Sequence, residues 1–374
     1  MIESSGERRS ARSRYAAPSH GACEASVEHS PVVNRVALCT LLSCTVVTCC
    51  TPRSVGPEAP PSLSNLASRQ VALLSYSDGR STLQVANADG SGLRGVSGDI
   101  ALVFSPSWSP DGTRLVFHAC PDADVECTSD MEIFVVNPDG SALCNLTQDP
   151  SEDWHPTWSP DGQQIAFASD RSGSRDIFVL DLATMALRRL TDSPYQEDYP
   201  QWSPDGHQIA YQLTRGSQTA PWVMNVDGTD IVNLAPVGVE PRWSPMGDQI
   251  AFGCSANHHS AICVVRSDGS HLERLTSEEA DAFSYSWSPD GRMIAYVTNR
   301  DFNAEIYVAY LGPDALITHE NLSQNPASDQ WPVWSPDGTW IAYSSDGFLS
   351  FVDAEGRGHI TLGIEAFGPI AWMP

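Results

Sequence analysis

The chain has 374 residues, 41% of them apolar, enough for one large all-β domain or two ordinary ones. Its formal charge is −25, all 21 basic residues are arginine, and no basic stripe is visible, so nucleic acid and other polyanions are poor partners. Without lysine there is no Walker A lysine, Schiff-base lysine or lysine base, and neither a Gly-x-Ser-x-Gly elbow nor a His-Glu-x-x-His pair occurs.

Residues 1–34 carry Arg8, Arg9, Arg12 and Arg14 without periodicity. They read as a disordered or mis-assigned N-terminal extension, with translation starting near Val32 or Val33. Residues 35–50 read as an export segment. Val36 to Thr51 is uncharged, follows Arg35, is too short to span a bilayer and suits a signal-peptide core. Leu41-Leu42-Ser43-Cys44 resembles a bacterial lipobox, which makes Cys44 the lipidation candidate. Cys49 and Cys50 fit less well, because Thr48 and Cys49 precede them where a small residue is usual. The competing reading is a cytosolic protein with a cysteine-rich tail. Residues 51–68, rich in Pro and Ser, read as an extended tether.

Residues 69–374 are built on a repeat. Trp-Ser-Pro-Asp-Gly begins at Trp108, Trp158, Trp202, Trp287 and Trp334, and a variant with Met246 in place of Asp begins at Trp243. The gaps are 50, 44, 41, 44 and 47 residues. A period of about 40–50 residues made of short strands predicts a β-propeller. In the copy from His155 to Thr191, a short strand ends at Trp158 and Ser159-Pro160-Asp161-Gly162 turns the chain. Gln164–Ala168, Asp176–Leu180 and Arg188–Thr191 supply three more strands, giving a four-stranded antiparallel blade.

Gln70 to Gly95 reads as strands two to four of a blade: Val71–Leu74, Leu83–Ala86, then Asn87-Ala88-Asp89-Gly90. Pro369 to Pro374 looks like a first strand. The two ends are therefore expected to share one blade, giving a single seven-bladed propeller; a six-bladed ring would need one non-standard repeat.

Cys120 and Cys127 flank a loop in one repeat, and Cys254 and Cys263 flank the same loop in another. Both pairs are disulfide candidates, which fits an oxidising compartment. The alternative is that all are reduced core residues. Cys144 is left over and reads as a small buried hydrophobe.

From about Gln70 to Pro374 the repeat resembles the propellers of the TolB family, whose blades carry the PD40 repeat. That resemblance implies the fold and leaves function open. The same repeat occurs in TolB, in propellers of prolyl-oligopeptidase-like and tricorn-type peptidases, and in some oligogalacturonate lyases. Only the tether precedes the propeller and the chain stops at Pro374, so neither TolB's extra domain and its Tol–Pal role nor a peptidase domain is expected. The lyase relatives imply pore histidines and a glutamine around a metal; only His155 and Gln330 stand in such places.

In such blades the 1–2 and 3–4 turns share one face, and the varied 2–3 loops share the other, where binding is expected. The residues preceding each first strand should rim the channel there: Asp153, Trp154, His155, Asp198, Tyr199, Glu240, Asp281, Phe283, Asp329, Gln330 and Trp331. Carboxylates among aromatics could bind a cation, an arginine-bearing peptide or a sugar. Equally, they could cap turns and pack between blades. The motif aspartates read as turn formers, because Met246 replaces one. His258-His259 is a weak metal signal. The expectation is an exported, lipid-anchored, monomeric scaffold of the periplasm or cell surface. It would bind a protein or peptide without catalysis or cofactor, and touch the membrane only through its anchor. The rival is a carbohydrate-active enzyme using the acidic channel mouth.

Overall fold

The structure, a computed structural model, describes residues 67–77, 79–121, 131–256, 259–277, 279–312 and 317–374. The extension, the export segment with Cys44, most of the tether, Cys127 and His258 lie outside the described residues. Seven four-stranded antiparallel sheets form a propeller ring, with no helix among the described residues. The count is seven, not six.

Blades 1 to 6 open with first strands Ala101–Trp108, Asp153–Trp158, Gln196–Trp202, Val239–Trp243, Ala282–Trp287 and Asp329–Trp334. Each is an edge strand of its sheet, and first strands of neighbouring blades pack on one another around most of the ring. Blade 2 continues with Gln164–Ser169, Asp176–Asp181 and Leu187–Arg189. The composite blade joins Ala371–Trp372 to Gln70–Ser77, Arg80–Asn87 and Arg94–Gly95. The seam is Val71 opposite Trp372 and Ala72 opposite Ala371. Asn87 to Gly90 is not a strand of its own: Asn87 ends Arg80–Asn87, Gly90 N–H donates to the Asn87 carbonyl and closes a turn, and the outer strand follows at Arg94.

The hydrophobic core is divided into slabs, one between each pair of neighbouring blades. A middle strand therefore buries both of its faces. That is why Leu115–Cys120 and Glu132–Val136 are buried along their whole length instead of alternating.

The repeated pentapeptide links blade to blade. The Trp158 indole N–H donates to the Ser107 carbonyl of the preceding blade at 3.2 Å. Trp108, Trp243, Trp287 and Trp372 bond equivalent carbonyls, those of Ala371, Gln201, Arg242 and Val333. Trp202 and Trp334 have buried indole nitrogens without a partner. The motif serine hydroxyl donates to the motif Asp, whose Oδ1 also accepts the backbone N–H two residues on. In the Met246 copy, Ser244 donates to Asp248 instead, at 2.8 Å. The turn keeps its carboxylate by taking it from two positions downstream. Gly162 has φ +67°, where a β-carbon is disfavoured, and sits against Pro110 of the preceding turn. This glycine-on-proline contact recurs at Gly206, Gly247, Gly291 and Gly338; Met373 takes the proline's place beside Gly112.

Candidate functional site

Each first strand of blades 1 to 6 is bulged three residues before its tryptophan. Ser105, His155, Tyr199, Glu240, Ser284 and Trp331 occupy that position, all with φ between +44° and +52°. In five copies a proline follows (Pro106, Pro156, Pro200, Pro241 and Pro332), which disfavours the right-handed helical region for the residue before it. Non-glycine residues are held there only when their surroundings over-determine them. The frame is constant and the side chain it carries changes from blade to blade.

The predicted rim divides into two kinds. All of its carboxylates but Glu240 are consumed internally. Asp153 is fully buried, with both oxygens on Arg171 at 2.8 and 2.9 Å. Burial raises its pKa against the opposing Ser169 and Arg171 contacts. Asp329 is fully buried and accepts from Asn325 at 2.9 Å. Asp281 accepts the Ser260 N–H at 2.8 Å, a bond that chiefly lowers its pKa. Phe283 packs into the slab between blades 5 and 6. Trp154, His155, Tyr199, Glu240, Gln330 and Trp331 remain half-buried.

One sector, across blades 1 to 3, is tightly built. The His155 Nδ1 lies 2.7 Å from Asp198 Oδ1, and Arg175 pairs with the other Asp198 oxygen. The Arg175 guanidinium lies 3.7 Å over the Trp154 ring. Tyr199 stacks on His155 with centroids 3.7 Å apart, His118 meets His155 edge-on at 5.1 Å, and Phe104 stacks on His118 at 5.4 Å. Burial alone would raise Asp198; the His155 hydrogen bond and charge, with Arg175, bring it below the ordinary value. Burial, with His155 beside it, pushes His118 down to about 3, so that imidazole is neutral. Its Nδ1 is buried without a partner. Burial and the nearby Glu240 and Asp198 push Tyr199 up to about 12.

The sequence brought His155, Asp198, Tyr199 and Trp154 together but missed His118 and Arg175. His118 follows the aromatic residue of a second strand, where other copies carry Ala168, Gln212, Gly253, Val297 and Ser344. That variation was its only trace. Arg175 closes a 2–3 loop that differs in every copy.

Cys254 and Cys263 form a disulfide across the second and third strands of blade 4. Cys120 and Cys144 each take part in a disulfide as well, and the predicted partner of Cys120, Cys127, lies outside the described residues. Cys144 is therefore not the free small hydrophobe expected from its neighbours; it sits half-buried on an outer edge strand. Among the described residues, no group of three or more His, Cys, Asp or Glu is placed to hold a metal ion.

Solved structures share the architecture at low identity, which speaks to fold alone. TolB from Acinetobacter baumannii is 16% identical, with 86% of this chain and 89% of that one covered and a TM-score of 0.52. An oligogalacturonate lyase in complex with manganese is 14% identical, covering 78% and 84%, with a TM-score of 0.58. The periplasmic gluconolactonase PpgL of Pseudomonas aeruginosa is 13% identical, covering 82% and 99%, with a TM-score of 0.56. A sequence comparison with curated proteins finds no match. The TolB beta propeller domain model, PD40, matches residues 51–231, 199–317 and 239–348, well over half of the sequence. With its repeated Trp-Ser-Pro-Asp-Gly turns and closed seven-bladed ring, the chain belongs to the PD40 family of TolB β-propeller domains.

Proposed function

We propose that this propeller is an exported scaffold, lipid-anchored through Cys44, that captures a protein or peptide partner at the channel rim on its loop face. The observation that carries this reading is the division of the rim. Three of its five carboxylates, Asp153, Asp198 and Asp329, are tied to arginines or an asparagine, while aromatic faces stay half-open. Stacked rings with a pinned guanidinium give a rigid, amphipathic contact surface that loses little side-chain entropy on binding. The family and its periplasmic structural neighbour support an envelope location.

The test is capture of partners from an envelope extract, with in-cell crosslinking at Trp154. His155→Ala with Tyr199→Ala should abolish a specific crosslink that turn-face variants retain. Equal crosslinking by both sets, or none by the parent, overturns the reading. A second reading rests on the His155–Asp198 pair, a histidine oriented by a carboxylate as in general-base sites. Turnover of a lactone or oligosaccharide, abolished by His155→Gln, would favour it.

A further inference from the structure

The buried carboxylates at the blade junctions come in pairs. Glu132 of blade 1 meets Asp153 of blade 2, Asp176 of blade 2 meets Glu197 of blade 3, and Glu305 of blade 5 meets Asp329 of blade 6. All six side chains belong to buried residues. In each pair, one acid stands at the same place in a third strand. The other stands five residues before the next blade's motif tryptophan. At three other junctions the same two places hold Thr82 and Val103, Ala220 and Gly238, or Ala261 and Ala282. The chain carries both acids or neither.

A hydroxyl bonds one acid of every pair: Thr147 bonds Glu132, Thr191 bonds Asp176 at 3.3 Å and Ser323 bonds Glu305. Each hydroxyl oxygen also accepts a backbone N–H, from Ile133, Ile177 and Ile306 respectively, at 3.1, 2.9 and 2.9 Å. A hydroxyl has one proton to give, so it serves a single carboxylate. Two buried carboxyls side by side repel when both are ionised, which favours a proton on one of them.

We propose that the junctions between blades 1 and 2, 2 and 3, and 5 and 6 are proton-locked, each pair of buried carboxyls holding one shared proton. Arg171 holds Asp153 and Arg189 holds Asp176, so Glu132 and Glu197 are the protonated members there. No arginine bonds the third pair; Asn303 donates to Glu305 at 2.7 Å and Asn325 to Asp329 at 2.9 Å. Asp329 Oδ1 and Glu197 Oε2 are buried without a donor, a costly place for an ionised oxygen. Other nearby charges are Asp149 beside Glu132 and Asp192 on Arg189; the phenols Tyr211 and Tyr343 face the second and third pairs.

Burial above all pushes Glu132 and Glu197 up to about 7 and Asp329 up to about 6. The sign follows. Their ordinary values are 4.5 for Glu and 3.8 for Asp, so between there and about 7 the folded chain keeps protons the unfolded chain releases. The stabilisation is complete below the ordinary values and is lost as pH climbs through the folded ones. Each lock lowers the folding constant by up to about tenfold per pH unit in that window.

The experiment replaces the protonated member of each lock by its amide: Glu132→Gln, Glu197→Gln and Asp329→Asn. Infrared spectra of the folded chain at pH 5.5 should contain a protonated carboxylic-acid band that each single variant weakens by about a third and the triple variant lacks. Urea unfolding across pH 5 to 8 should show the parent losing stability and the triple variant nearly level. If the triple variant does not fold, the three single variants decide. A parent without the band, or a band untouched by any of the three changes, overturns the proposal.

Discussion

The turn face and the channel rim are built on the same repeat and use it in opposite ways. On the turn face the six motif-bearing blades present nearly the same residues, mostly doing the same work: indole to carbonyl except at Trp202 and Trp334, hydroxyl to carboxylate, glycine on proline except at Gly112. At the rim blades 1 to 6 repeat the same left-handed backbone and change the side chain: Ser105, His155, Tyr199, Glu240, Ser284, Trp331. Repetition marks what holds the ring; a constant backbone with varied side chains marks what the ring offers outward.

That contrast can be broken, and the largest blow should fall at the seam. Trp372→Ala removes a buried indole that both packs the composite blade and bonds Val333, and should cost about 3–5 kcal/mol in urea unfolding. A milder change sharpens the role of the indole nitrogen. Trp158→Phe should cost about 1 kcal/mol more than Trp202→Phe, because only Trp158 has a bonded nitrogen. Comparable losses would mean that the bond contributes nothing beyond shape. Gly162→Ala, at φ +67°, should cost about 1–2 kcal/mol. At the rim, Ser284→Gly at φ +44° should move stability by less than about 1 kcal/mol, since relief of the left-handed strain offsets the added freedom of the unfolded chain. Smallest of all, Met246→Asp should be nearly silent, because Asp248 already serves that turn. A gain above about 1 kcal/mol would show the substitute carboxylate to be inferior.

The architecture was readable because its evidence is redundant. Six copies of one turn, with a truncated partner at each end, point to seven blades closed by the two ends, with a six-bladed ring as the alternative, without reference to any single residue. The site was readable only where it shares the repeat's coordinates. His155 and Asp198 stand at fixed distances from a motif tryptophan, so counting finds them. His118 and Arg175 occur once, and nothing in one copy predicts that a ring from blade 1 will meet a ring from blade 2. The carboxylates were legible as residues and misleading as ligands. Their spacing places them at the junctions, but the groups that occupy most of their oxygens, such as Arg171, Arg175 and Asn325, stand at positions the repeat does not mark. Cys144 was misread for a similar reason: its apolar neighbours Leu143 and Leu146 suggested burial, whereas an outer edge strand leaves its sulfur accessible to a bonding partner.

The seam has a consequence for how the molecule comes to be assembled. The bond from Trp108 to Ala371 joins residues 263 positions apart, and the sheet that contains Gln70–Ser77 lacks its inner strand until Ala371–Trp372 arrives. A chain emerging from the ribosome can stack blades 1 to 6 in order, yet its composite blade waits throughout with an open edge. Closing so long a loop is entropically slow. During that wait the exposed edge is the natural place for a chaperone to hold the nascent ring, or for two nascent chains to exchange ends.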